Sequence, residues 1–232
     1  GSAYWTQNTR LMYWTMPAAG DFDLMKPLFK MYMDALPLRK HLTRLAFNHD
    51  GALYPETMEF WGGSPDSDFG RPGDESRKDL PPGQTRHGYM QYYPQGALEM
   101  LNVMNCYFEY TGDTAFRDST LLPFGKEILD YYRLHWPRTA EGKLNFTGLT
   151  SLEQATETTN PAPDIAGLRA ILPKLAACTP NAGLRSIWTN MLADLPPLPM
   201  KESNGQQILA MAEKTPARVS GFEKPELYAV FP

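Results

Sequence analysis

The chain has 232 residues, 42% of them hydrophobic, enough to bury a sizeable core within one large domain. Lys and Arg number 22 against 26 Asp and Glu, a net charge of -4 that leaves no basic stripe for phosphates and argues against a nucleic-acid partner. No apolar run approaches the length of a membrane span, which points to a soluble chain.

Residues 5–23, WTQNTRLMYWTMPAAGDFD, open the chain with Trp5, Tyr13 and Trp14 flanking Asn8 and Arg10. Such a mixture suits stacking on a sugar face while amide and guanidinium groups bind its hydroxyls. It equally suits a helix of aromatic core residues. Residues 24–47 carry apolar positions at helical spacing interrupted by Pro27 and Pro37, which predicts two helices or one kinked pair. Residues 62–88, rich in Gly, Pro, Asp and Arg, form a long irregular segment of the kind that builds an active-site wall or stays disordered.

Residues 92–110 repeat apolar positions at Leu98, Leu101, Met104 and Phe108, and Thr111-Gly112-Asp113 signals a stop and a restart. The next helix, over 114–135, uses Phe116, Leu121, Phe124, Ile128 and Tyr132. Residues 164–178 and 182–195 predict another helix pair, and short connections of this kind make antiparallel neighbours. Residues 195–199 read as a linker and Asn204-Gly205 as a tight turn. The fold class predicted is all-α, a single domain over residues 1–232.

The segment at 151–168, SLEQATETTNPAPDIAGL, sets carboxylates in a polar loop ahead of a proline-opened apolar helix. A carboxylate buried among apolar walls at such a junction keeps a transferable proton near neutral pH, as a general acid must. On spacing alone, Glu153, Glu157 and Asp164 also fit a solvated loop and the first turn of a helix, where acids suit the dipole.

Other chemistries find little footing. His41, His49, His87 and His135 show no metal-ligand spacing and no cysteine partners, so no metal site is predicted. His49 and His87 each sit beside a loop glycine, which leaves them as candidate sugar contacts. Cys106 and Cys178 fall in apolar helical patterns and read as thiols rather than a disulfide. No phosphate loop, nucleophile elbow or dinucleotide fingerprint is present, and no cofactor is implied.

Read together, residues 5–23, 51–61, 151–175 and 226–232 resemble, in order, blocks of the catalytic domain of a bacterial glycoside hydrolase group related to the family 95 α-L-fucosidases. The resemblance implies an (α/α)6 toroid. Asn8 falls on the second asparagine of the family's Asn-x-Asn segment, with Tyr13 and Trp14 on its aromatic pair, while Thr6 and Met12 replace the other asparagines. Glu59 matches the aspartate two residues before a tryptophan, here Trp61. Pro55 and Glu56 stand where the family has sugar-contacting histidines, which points to a sugar other than fucose. Glu153 falls on the general acid, with Leu152 in place of a proline.

What the resemblance implies is inverting hydrolysis of an α-linked oligosaccharide or polysaccharide, in a periplasmic or secreted protein. Glu153 would protonate the leaving oxygen while Asn8 holds the water, with Glu56 as the rival acid. Trp5, Trp14 and Trp61 would stack on sugar; Arg10, Glu59 and His87 would contact hydroxyls. The family's Asp-Gly-Asn-Phe-Gly block does not follow residues 226–232, so the chain reads as a fragment of the catalytic domain whose parent supplies the remainder. Two other readings stay open: a polysaccharide lyase using Asn8, His49 and Tyr89, and a noncatalytic carbohydrate-binding domain.

Overall fold

The computed structural model describes residues 3–64, 79–80, 93–152, 155–216, 219 and 223–230. The chain divides into two compact units, Gly1–His135 and Trp136–Pro232. The described residues are rich in helix, as expected, and the small sheets beside the helices correct the all-α expectation. The strands escaped the pattern reading because they are short and polar: Thr-rich pieces such as TGLTS and ATETTNP fit a pleated surface through β-branching rather than through apolar alternation.

In the first unit β1 (Tyr4–Trp5) leads directly into α1 (Thr6–Ala19), which ends at Gly20 in the left-handed conformation, φ 79°. The helix α2 (Phe22–Phe47) then runs 26 residues without a break, where two helices or a kinked pair were expected. Pro27 and Pro37 are both exposed, so the carbonyls they leave without an intrahelical donor lie where water reaches. The opposite face, Met25, Leu28, Phe29, Tyr32, Ala35, Leu36, Arg39 and Thr43, is buried and keeps the helix continuous through both sites.

After α2 the chain turns at Asn48 and enters a buried stretch, residues 51–58, which ends in β2 (Thr57–Met58) paired antiparallel with β1. Gly51 has φ 102°, and a Cβ there would sit 2.7 Å from the Tyr131 Cα, so only glycine lets this backbone cross the neighbouring helix. Helix α3 (Gln95–Thr111) is buried on every side from Gln95 to Asn105 and packs against α1. It stops at Gly112, φ 65°, and Asp113 restarts the chain by accepting the Phe116 N–H at 2.9 Å. The helix expected over 114–135 is present in three parts: α4 (Thr114–Phe116), a π-type turn (Arg117–Leu121) and α5 (Leu122–His135). Tyr32, Tyr54 and Phe124 meet in the core, with the two tyrosine rings stacked at 5.2 Å.

In the second unit β3 (Thr147–Ser151) and β4 (Ala155–Pro161) form an antiparallel hairpin. Pro161 caps α6 (Ala162–Cys178), which carries Pro163 in its first turn, so the proline-opened helix is confirmed. Asn181 opens α7 (Ala182–Asp194) by accepting the Leu184 N–H at 3.0 Å, and α7 packs on α6. The segment 195–199 has no regular structure, but Leu195, Pro196 and Pro199 are buried, so it is anchored rather than a loose linker. The turn at Asn204-Gly205 joins β5 (Met200–Ser203) to β6 (Gln206–Leu209), both residues at positive φ as a two-residue hairpin requires. β7 (Ala212–Lys214) extends the first hairpin into a three-stranded sheet, and a 3-10 turn, Pro225–Val230, lies against α6. Cys106 and Cys178 are thiols, as expected.

His49 and His135 form a hydrogen-bonded pair at the end of the first unit. The His49 Nδ1 lies 2.7 Å from the Asp50 carbonyl and must donate to it, which leaves Nε2 to accept from His135 Nδ1 at 2.9 Å. Tyr131 stacks on the His135 ring at 4.8 Å. Burial, with His49 alongside, pushes His135 from its ordinary 6.5 down to about 4. The folded protein therefore keeps neutral a ring that the unfolded chain protonates. That contribution to stability is complete above the unfolded value and is lost as pH falls towards the folded one, by about 2 to 3 kcal/mol after allowing for solvent at part of the ring. Denaturant melts across this window should show a smaller pH slope for His135→Phe than for the natural chain. Equal slopes would mean that the ring is already protonated in the folded state.

Candidate active site

The first two turns of α1 gather several of the polar side chains buried in the first unit, among them Thr6, Glu56, Gln95 and Glu99. Four N–H groups at a helix start lack intrahelical partners, and Trp5 at the cap position provides no side-chain oxygen. Glu56, reaching in from the buried stretch after α2, supplies two acceptors instead. Its backbone carbonyl takes the Thr6 N–H at 3.0 Å and its Oε1 takes the Gln7 N–H at 2.8 Å. A carboxylate in this position also meets the positive end of the helix dipole. The Glu56 side chain is wholly buried.

The buried stretch is itself fixed by α2. Arg39 Nε donates to the Leu53 carbonyl at 2.7 Å and Nη1 to the Gly62 carbonyl at 3.3 Å, while the Thr43 hydroxyl accepts the Leu53 N–H at 2.8 Å. Tyr54 donates its hydroxyl proton to the Tyr32 carbonyl. Thr6 and Tyr32 share a hydroxyl contact at 3.1 Å, and burial pushes the Tyr32, Tyr54 and Tyr4 phenols well above their ordinary values.

One turn further along α1, Arg10 donates to Glu99 Oε1 at 2.7 Å, and Gln95 donates to the same oxygen. Glu99 is fully buried on α3, and the Arg10 side chain is only 12% exposed. The guanidinium also lies over the Trp14 ring, 5.5 Å from its centre. Gln7 completes this face of α1 by donating to the Tyr93 hydroxyl at 3.2 Å. Gly96 makes the approach of the two helices close, since a Cβ there would stand 3.2 Å from the Thr6 methyl.

Of the residues singled out in the sequence, Glu56 thus lies at the α1 start, while Arg10 and Trp14 contact each other one and two turns further along the helix. Asn8 does not join them: it is exposed on the other side of α1, on the face that carries Leu11, Met12 and Thr15. Trp5 and Trp14 are part-exposed, and Trp61 is more than half exposed, its ring folded over Gly63. Glu59 sits half-buried in the turn that closes on Gly63, its N–H donating to the Gly63 carbonyl at 2.7 Å. Glu153, His87 and Tyr89 lie outside the described residues, as does nearly all of the loop at 62–88. Glu99 and Gln95 were missed. Their signal is legible afterwards as a polar stripe at Gln95, Glu99 and Asn102, spaced by four and three residues in an otherwise apolar helix.

The second unit holds the other notable geometry. Leu152, Glu157 and Asn160, none of them glycine, have φ of 51°, 57° and 49°. Around them the β3–β4 register shifts twice, and Asn160 bridges the irregularity by accepting the Phe146 N–H at 2.8 Å and donating to Glu213 at 2.7 Å.

No protein-family model matches the chain, and no curated protein matches it in sequence. Among the described residues no helix is long and apolar enough to cross a membrane.

The Arg10–Glu99 pair allows a direct test of what holds α1 on α3. Removing one partner of a buried pair leaves the other charge without its counterion, at a cost of about 3 to 5 kcal/mol. Glu99→Leu should destabilise the protein by this amount in urea melts, and Arg10→Met with Glu99→Leu should recover most of it. A double variant as unstable as the single one would show that shape, rather than charge pairing, dominates the contact.

Proposed function

We propose that the chain belongs to the catalytic part of a glycoside hydrolase that cleaves an α-linked glycan by a single inverting displacement, its helices forming part of an (α/α)6 toroid. The observation that carries this reading is the strained backbone at Leu152, Glu157 and Asn160. Left-handed conformations of residues such as Leu152 and Glu157 are uncommon, while asparagine takes them more readily, and they persist where surrounding structure over-determines them, most often at active sites and ligand clamps. Here they fall within the SLEQ stretch, the segment that resembles the family's general-acid loop. The four ordered blocks of resemblance and the helix-rich architecture point the same way.

In this reading Glu153 protonates the leaving oxygen and Asn8, on the open face of α1, holds the attacking water. Inversion requires a gap of roughly 6.5 to 9.5 Å between acid and base, room for that water. Trp5, Trp14 and Trp61 offer aromatic surface for sugar rings, and Arg10, Glu59 and His87 polar contacts. Glu56 is the weaker candidate acid, because its Oε1 caps α1 and its side chain has no exposed surface on which to meet a glycosidic oxygen. The lyase reading gains nothing from His49, whose two ring nitrogens are already engaged by Asp50 and His135. Noncatalytic sugar binding draws on the exposed tryptophans alone and predicts binding without release.

The test compares variants at the two candidate acids. Glu153→Gln should lower hydrolysis of a natural glycoside by about 10² to 10⁴-fold while leaving binding intact, and should affect an activated aryl glycoside far less. Full activity in Glu153→Gln together with loss in Glu56→Gln would transfer the acid to Glu56. An unsaturated, ultraviolet-absorbing product would establish the lyase instead.

The sugar follows from Thr6, Pro55 and Glu56, which stand where the family has an asparagine and two histidines. Thr6 is buried with its hydroxyl at Tyr32, and Glu56 is spent on the α1 backbone. A pocket lacking the expected hydrogen-bond partners discriminates strongly against the original substrate. Nitrophenyl α-galactoside should therefore be hydrolysed faster than nitrophenyl α-L-fucoside at equal concentration. A clear preference for the fucoside would show that these three positions do not set the sugar.

A further inference from the structure

Away from the α1 start, a cleft of about 280 Å³ opens between α2 and the π-type turn. The α2 wall carries Lys26, Phe29, Lys30 and Met33, which the helical spacing i, i+3, i+4, i+7 sets on one face. The facing wall is Phe116, Ser119 and Thr120. The floor is aromatic and firmly held: the Phe116 ring lies 5.3 Å from Phe29 and 4.5 Å from Tyr107.

The rim is cationic and hydroxylated. Lys26 and Lys30 pair with Asp23 and Asp34 of their own helix, each at 2.6 Å, and all four side chains are more than half exposed. Exposed pairs of this kind are worth about 0 to 1 kcal/mol, so either ammonium can turn to a bound anion at little cost. Ser119 spends its proton on the Ala115 carbonyl at 2.7 Å, so in its 3.5 Å contact with Thr120 the Thr120 hydroxyl donates, a long bond that it can exchange for a bound anion. Both hydroxyls stand on the widened turn, where the Leu122 N–H reaches back to the Arg117 carbonyl, five residues away. Such insertions are rare and occur frequently at functional sites.

We infer that this cleft binds a small aromatic acid, a phosphate or carboxylate on a single ring. The ring lies against Met33 and Phe116, with the buried Phe29 behind them, and the acid group sits between the Lys26 and Lys30 ammoniums within reach of the Thr120 hydroxyl. The size sets the class. Small-molecule sites span roughly 300 to 1,000 Å³, and this one, at about 280 Å³, falls just below that range, too small for a nucleotide or an oligosaccharide. The apolar floor favours a ring over a bare anion, and the two like charges on one helix face favour an anion over a neutral ring.

The experiment titrates the whole chain, with methyl-labelled methionine, against phenyl phosphate, benzoate, inorganic phosphate and benzyl alcohol. The Met33 methyl signal, assigned by Met33→Leu, should shift saturably with phenyl phosphate or benzoate, and which of the two binds tighter identifies the acid group. Inorganic phosphate and benzyl alcohol should each bind at least about tenfold more weakly, equivalent to about 1.4 kcal/mol. Lys26→Ala with Lys30→Ala should weaken the aromatic acid by a similar factor and leave the melting temperature unchanged, since both lysines are exposed. Absence of a saturable shift with either aromatic acid overturns the proposal. So does affinity that is unchanged in the double lysine variant, or inorganic phosphate binding as tightly as phenyl phosphate.

Discussion

The guanidinium of Arg39 is the constraint on which the first unit depends. A loop that passes through the interior carries backbone groups that water cannot reach, and each one left unmade costs about 1 to 3 kcal/mol. Arg39, almost fully buried on α2, closes two of them at the Leu53 and Gly62 carbonyls, and Thr43 one turn on closes the Leu53 N–H. Gly51 lets the same loop pass over Tyr131 without a side chain in the way. With the stretch held from α2 on one side and α5 on the other, Glu56 arrives at the α1 start already positioned. The cap on α1 is thus a consequence of packing two helices away.

That arrangement explains why α1 is stable with so little local support. Its N-cap residue makes no side-chain hydrogen bond, its first turn has no acid of its own, and much of its outer face is exposed apolar surface at Leu11, Met12 and Trp14. The missing terms come from elsewhere in the chain: the Glu56 carboxylate at the first turn, the Arg10–Glu99 pair at the second, and Gln7 at Tyr93 between them. Tertiary hydrogen bonds rather than helix propensity place Arg10 and Trp14 side by side.

The helices were legible because they rest on periodicity and punctuation that any chain must show. Gly112 and Asp113 separate α3 from the next helix as the spacing predicts, and Pro161 and Pro163 open α6. Two kinds of feature were not legible. Pro27 and Pro37 look like breaks, but whether a proline breaks a helix depends on which face it occupies, and that is settled only once Met25, Phe29 and Tyr32 have found their partners. The β3–β4 hairpin was hidden because its strands carry register shifts and left-handed residues, which erase the alternation a strand shows in sequence. Within the candidate site, Arg10, Trp14 and Glu56 could be picked out by residue type. Their partner Glu99 could not, because a single acid in an apolar helix reads as a surface position until the helix is known to be buried on every side.

In the function proposed above Glu56 is the weaker candidate acid, and its surroundings give the reason. Glu56 has one oxygen bonded to a helix N–H at the favourable end of the dipole, and these two contacts offset the exclusion of solvent, which opposes a charge there. Moving a proton onto it would weaken the cap on α1, so each catalytic cycle through Glu56 would loosen the helix that carries Arg10 and Trp14. A general acid must instead change protonation without dismantling its own support. In the second unit the irregular backbone of the β3–β4 hairpin is secured by Asn160, Thr158 and Ser151, whose bonds run to the Phe146 N–H and to the Leu149 and Met211 carbonyls, so its left-handed residues are held by neutral groups of the hairpin itself and of the chain beside it.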